Sequence, residues 1–357
     1  MASDGFPPKL TLLEKLDLIP AQLSVLATAI YAALTGIFRG KSGAKAYGKH
    51  IGYAVIRRTL ARYSTRQNQW LNPPTNVTYE TLAKQKGFAP HTVKLGHGAL
   101  GSWIGSKDAK NIVVYYHGGG FAVPAGIAYL QFLSDIADDL RTAGKDVAIF
   151  IVTYSLTPHA VYPTQFKQAV AALRYILEDL KHPPANVFIG GDSAGGNLTF
   201  AVLSHTAHPH PEIEPLQLSE PLGGAFAMAP WASFRQDFLS MKENIKKDML
   251  MPETLKLWSD MYLAGQKEDN YNQPALAPAD WWSGIKVNRI MVVAGSDEVL
   301  LGGIEEFLKK LKAGFPNTTY IVVDDEPHVA PIIFRMLGGK DKSGQDREIR
   351  SWLSARL

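Results

Sequence analysis

Two glycine-rich motifs constrain this chain more than anything else in it: His117-Gly-Gly-Gly-Phe121 and Gly191-Asp-Ser-Ala-Gly-Gly196. In the second, Ser193 is the centre of a G-x-S-x-G sequence. Gly191 and Gly195 remove the Cβ atoms that would clash where a strand turns sharply into a helix. The flanks have the required character, because Asn186-Val-Phe-Ile-Gly190 is a short apolar strand and the run from Asn197 to Ser204 starts a helix. The first motif ends the apolar run Asn111–Tyr116. Its glycines therefore lie at the carboxyl end of a strand, free to aim backbone N–H groups at a developing oxyanion. A lone G-x-S-x-G would mean little among 31 glycines. The two motifs together, in this order, predict an acyl-transfer site with Ser193 as nucleophile.

Bulk properties narrow the chemistry further. The chain has no cysteine, which excludes a thiolate nucleophile, a disulfide framework and a cysteine-based zinc site. The formal charge of +4 comes from interspersed Lys/Arg and Asp/Glu, so no nucleic-acid face is expected. At 357 residues and 46% hydrophobic, the chain can bury one large core in an elaborated domain. Neither a metal nor an organic cofactor is required by the chemistry that Ser193 implies.

Residues 1–90 read as an N-terminal helical cap segment, with an apolar stretch Leu18–Phe38 followed by a more basic one at Ala44–Tyr63. Residues 91–357 read as an α/β catalytic domain. Strands are expected at 91–95, 100–105, 111–116, 147–154, 186–190, 225–229, 289–294 and 319–323, with helices between most of the later ones. This alternation predicts a mostly parallel central sheet with helices on both faces. At about 232–284 the rhythm lapses into helices rich in Met, Lys and Trp, which reads as a helical cap insertion. The segment Ala21–Phe38 is expected as an amphipathic cap helix over the active site and is a candidate for contact with a membrane surface.

A serine hydroxyl needs a base and an acid that orients the base. Chains with this elbow carry the acid and then the histidine after the serine. His328 is the one histidine after the 289–294 strand, and it follows the last strand, so it is the expected general base. Asp297 and Glu298 both follow the 289–294 strand and leave the acid open between them. The backbone N–H groups of Ala194, Gly118 and Gly119 are the expected oxyanion donors. Phe121 and Asp192, within these motifs, and Trp231, further along the chain, are candidate substrate contacts.

The motifs resemble the hormone-sensitive-lipase-like branch of the α/β-hydrolases, in particular fungal esterases and tailoring hydrolases of secondary metabolism. Besides HGGGF and GDSAGG, Tyr154-Ser-Leu-Thr-Pro158 with Tyr162-Pro163 looks like the family's Y-x-L-x-P-E-x-x-x-P stretch, and Ala229-Pro-Trp231 resembles its S-P-W segment. The likeness runs from about Val113 to Val329. Two departures stand out: His159 where many members carry an acid, and Gln168 where many carry Asp. Aligning Val299-Leu300 with the family's Pro-Leu implies Glu298 as the acid, whereas counting from the strand gives Asp297.

The resemblance implies a serine hydrolase acting on the carboxylic ester, lactone or acyl group of a hydrophobic small molecule. Acyl transfer or cyclisation on the same scaffold is the alternative, and plant gibberellin receptors, which resemble this fold with the histidine lost, mark a ligand-binding one. The terminal Ala355-Arg-Leu357 resembles a peroxisomal address. An intracellular location is expected, peroxisomal if that tripeptide is read and cytoplasmic otherwise.

Overall fold

The apolar runs that read as strands form a single eight-stranded sheet. The computed structural model describes residues 6–339 and 341–357, so residues 1–5 of the expected cap segment lie outside the described residues. The strands are β1 (Thr92–Lys94), β2 (Leu100–Ile104), β3 (Asn111–Tyr116), β4 (Val147–Thr153), β5 (Val187–Asp192), β6 (Gly224–Met228), β7 (Ile290–Gly295) and β8 (Thr318–Val323). Their spatial order is β1-β2-β4-β3-β5-β6-β7-β8. The pairs β1–β2 and β2–β4 are antiparallel, and every later pairing is parallel. Each expected strand is present, with ends shifted by a residue or two. β3 and β5 are buried along their whole length, as strands covered on both faces must be.

Four helices precede the sheet: α1 (Leu12–Thr35), α2 (Tyr47–Arg62), α3 (Thr65–Leu71) and α4 (Thr75–Lys86). Threaded through it are α5 (Ile127–Thr142), α6 (Thr164–Arg174) and α7 (Ala194–Ala207). The stretch after β6 carries α8 (Leu239–Glu243) and α9 (Pro252–Leu263), where the helical insertion is expected. The chain closes with α10 (Leu301–Gly314), α11 (Ala330–Met336) and α12 (Gly344–Ser354). α5 and α12 pack on one face of the sheet and on each other, while α6, α7 and α10 cover the other. α1 starts at a capping box in which Thr11 and Glu14 satisfy each other's backbone N–H groups. It packs chiefly on α2, one layer further from the sheet than a helix over the active site would be.

An aromatic cluster joins α7, α10 and the end of the insertion. Phe307 meets Phe200 edge-on at 4.6 Å and Trp282 at 5.4 Å. All three are fully buried. Phe307→Ala opens a cavity that these rings cannot refill, and urea unfolding is expected to show a loss of about 3–5 kcal/mol.

Candidate active site

The turn from β5 into α7 presents Ser193. Its backbone sits at φ +52° and ψ −118°, a conformation that L residues avoid. Neighbours hold it there: Ser193 N–H donates to Met228 O at 3.0 Å, and Trp231 N–H donates to Ser193 O at 2.9 Å. The turn also needs a missing side chain, because a Cβ on Gly195 would lie 1.9 Å from Tyr116 O at the end of β3. The elbow therefore presses directly on the strand that carries the HGGG loop.

His328 lies between β8 and α11, and its Nδ1 is 2.8 Å from Glu298 Oε2. Both side chains are buried, at 1% and 0% exposure. Glu298 is the acid that reaches the histidine. Asp297, in the turn after β7, points the other way and pairs with Lys247 at 3.3 Å. Burial pushes the Glu298 carboxyl well above its ordinary range, opposed by the Gly295 N–H. Burial also lowers the His328 imidazole, opposed by the nearby Asp248 and Asp192. The neutral imidazole is favoured, and with Nδ1–H donated to a carboxylate its Nε2 is left as an acceptor. Ser193 and His328 line one pocket, and among the described residues no hydrogen bond joins them.

Asp248 escaped the sequence reading. It is fully buried and its carboxylate binds backbone on both loops: Oδ1 accepts from His328 N–H at 3.2 Å and Oδ2 from Val299 N–H at 2.8 Å. Met249 N–H donates to the same Oδ1 at 2.6 Å. Asn244, one turn earlier, donates from Nδ2 to the carbonyls of Ser296 and Glu298 at 3.0 Å each. Burial raises the Asp248 carboxyl to about 6. The only local sign in the sequence is a lone acid before the apolar run Met249-Leu-Met251.

The oxyanion loop differs from expectation in its first glycine. Gly118 N–H donates to Asp192 Oδ1 at 3.0 Å, so it is spent on holding the loop. Gly119 and Gly120 line the pocket beside Ser193. They adopt φ of +101° and +61°, and their N–H groups have no acceptor among the described residues, as is also true of Ala194. The N–H groups left without an acceptor beside Ser193, among the described residues, are therefore those of Gly119, Gly120 and Ala194. A run of three glycines cannot disclose which N–H faces the pocket. His117 braces the loop: its Nδ1 donates to Gly118 O at 2.7 Å and its ring stacks on Tyr154 at 4.3 Å. Burial lowers its pKa to about 4, so it stays neutral.

The three candidate substrate contacts lie outside the pocket. Asp192 is fully buried, accepting from Gly118 N–H and from the Tyr115 hydroxyl at 2.8 Å, and burial raises its carboxyl to about 6. Phe121 is stacked flat on Tyr262 at 3.8 Å, which draws its ring under the insertion. Trp231 packs edge-on against Phe234 at 4.7 Å in the core. Of the tryptophans, Trp258 lines the pocket instead. The departures at His159 and Gln168 find local partners: His159 Nε2 meets Gln69 Oε1 at 2.9 Å, and Gln168 accepts from Ser155 N–H at 2.7 Å.

The pocket has a volume of about 420 Å³. Its walls are apolar, with Ile56 and Leu60 from α2, Leu255 and Trp258 from α9, and Ile332 and Ile333 from α11. None of its lining comes from α1, which corrects the expectation of that helix over the site.

Asp248→Asn keeps the volume but turns an acceptor into a donor facing backbone N–H groups. It is expected to cost about 1–3 kcal/mol in urea unfolding. Steady-state kinetics on a soluble ester should show a fall in kcat with KM nearly unchanged, because Asp248 touches the two loops and not the pocket.

A family model of the alpha/beta hydrolase fold matches residues 113–332. The chain is 26% identical over 243 residues to steryl acetyl hydrolase 1 of Saccharomyces cerevisiae, a match that covers 62% of this chain and 54%, about half, of that protein. It is 28% identical over 254 residues to an acetyl-hydrolase of Streptomyces hygroscopicus, covering 69% of this chain and 78% of the relative. Among solved structures, an esterase from the bacterial hormone-sensitive lipase family superposes with a TM-score of 0.67 at 26% identity, over 88% of this chain and 99% of that one. The chain belongs to the alpha/beta hydrolases, in their hormone-sensitive-lipase-like branch.

Proposed function

We propose that this protein hydrolyses a carboxylic ester of an apolar small molecule through an acyl-enzyme on Ser193. The observation that carries the reading is the buried 2.8 Å contact between His328 and Glu298 at the wall of an apolar pocket that Ser193 shares. In the first half-reaction Ser193 Oγ attacks the ester carbonyl carbon and His328 Nε2 takes the hydroxyl proton. The oxyanion receives hydrogen bonds from Gly119, Gly120 and Ala194. Collapse expels the alcohol, which leaves with the proton from His328. Water then gives its proton to Nε2 and attacks the acyl carbon, and Ser193 is released with the proton returned. Glu298 stabilises the imidazolium in both halves.

Acetyl esters are the first class to test, since two relatives carry acetyl hydrolysis in their names. The apolar walls favour a hydrophobic alcohol. The resemblance to fungal tailoring hydrolases supports a secondary metabolite as that ester.

A stoichiometric burst of p-nitrophenol from short acyl esters tests the acyl-enzyme, and Ser193→Ala should abolish it. Glu298→Gln is expected to lower kcat by about 10³–10⁴, while Asp297→Asn stays near wild type. Equal losses from both would reject the assignment of the acid. Hydrolysis in ¹⁸O-labelled water should place the label in the acid product; its absence would indicate transfer or cyclisation.

The pH profile gives a separate check. The base works only when His328 is neutral, and burial lowers its pKa. The acidic limb of kcat/KM should therefore have its midpoint below about 6.5, the ordinary histidine value. A midpoint above that value would mean that the surrounding carboxylates outweigh burial.

A further inference from the structure

α1 is built inside out. Its buried residues are Ala21, Val25 and Ala32, and the hydroxyls of Ser24 and Thr28 on the same side bond back to carbonyls of the helix itself. The large side chains point away from the protein: Leu16, Ile19, Leu23, Leu26, Ile30 and Leu34 fall at spacings of three and four, and each is more than half exposed. Phe38, just past the helix, is 82% exposed. A surface helix in water carries the opposite arrangement, and an apolar stripe this long marks a surface made for an apolar partner.

Charge indicates which partner. From Leu18 to Tyr79 there are eight Lys and Arg residues and no Asp or Glu. Arg62 and Arg66 are neutralised by Asp17 and Glu14, and Lys45 by Asp325. Lys41, Lys49 and Arg58 have no carboxylate within ion-pair distance among the described residues. A second copy of this chain would add further cations to this cationic segment, whereas an anionic bilayer supplies both the apolar layer and the opposite charge.

We propose that the outward face of α1 docks on an anionic lipid surface, with the helix lying in the boundary between headgroups and acyl chains. The polar links along its inner side keep it on the domain: Arg62 to Asp17 at 2.6 Å, Arg66 to Glu14 at 3.0 Å and the Tyr63 hydroxyl to Gln22 at 2.5 Å. A membrane-spanning arrangement would have to break all three. α1 packs on α2, which supplies Ile56 and Leu60 to the pocket wall, so docking brings the pocket close to the bilayer.

The test is co-sedimentation of the full chain with phosphatidylcholine vesicles, with or without about one third phosphatidylserine. Wild type is expected to sediment with the anionic vesicles, to be released by salt and by alkaline carbonate, and to stay in solution with the neutral ones. Ser193→Ala should bind equally, which separates docking from the ester chemistry. The variant L23E/L26E/I30E changes exposed positions only. It should keep its melting temperature and its activity on a soluble short ester, yet bind anionic vesicles at least about tenfold more weakly. Unchanged binding by this variant would overturn the proposal. So would carbonate-resistant wild type, which would indicate a span, or a lipid-indifferent dimer that the triple variant dissociates.

Discussion

The grip of the Asp192 carboxylate on Gly118 N–H fixes the two halves of the site against each other. Asp192 ends β5 and Gly118 follows β3, so a single 3.0 Å bond sets the oxyanion loop relative to the residue next in chain, Ser193. The Tyr115 hydroxyl, reaching the same oxygen from β3, closes the bracket. A Cβ on Gly118 would lie 2.2 Å from Asp192 Oδ2, so the carboxylate needs the bare glycine as much as the loop needs the carboxylate. With the first glycine held, the next two can turn their N–H groups to the pocket through positive φ. Burying a carboxylate is costly unless its oxygens are paired; Oδ1 takes both bonds while Oδ2 has no partner among the described residues, and burial accordingly raises the carboxyl.

Asp248 repeats the device on the other side. The acid loop after β7 and the base loop after β8 are separate excursions, and nothing in the parallel sheet alone would hold Glu298 at 2.8 Å from His328. The carboxylate of Asp248 and the amide of Asn244 bind backbone atoms of Ser296, Glu298, Val299 and His328. The stretch between β6 and β7 that walls the pocket through Trp258 therefore also organises the loops that carry Glu298 and His328. Pocket wall and loop geometry are joined in one segment.

What could be read from the sequence follows the range of the interactions involved. Strands such as Asn111–Tyr116 and Val187–Asp192 announce themselves because burial on both faces writes continuous apolar runs. Ser193 and His328 sit at strand ends, where order along the chain carries meaning. The choice between Asp297 and Glu298 depends on which side chain faces a loop thirty residues further on, and only a family likeness pointed to Glu298. Asp248 acts across eighty residues through backbone N–H groups, so no local pattern marks it. Phe121, Asp192 and Trp231 show the converse: proximity to a motif says nothing about which way a side chain points, and here the core claimed all three.

The electrostatics around His328 reconcile its burial with the proposed acid–base chemistry. Burial favours the neutral imidazole, which is the form able to accept the serine proton. In the proposed reaction the imidazole that accepts this proton becomes a cation in a buried setting, and it must be stabilised by groups already in place. Glu298 touches it, while Asp248 and Asp192 act on it from a distance and favour the charged form. In the proposed reaction the same carboxylates that hold the loops would favour the imidazolium of the transition state over the resting imidazole, the differential that accelerates a reaction. A pocket with the same walls but neutral struts would keep its shape and lose part of that difference. On this reasoning the buried acids serve the proposed reaction twice, through the geometry they impose and through the charge they carry.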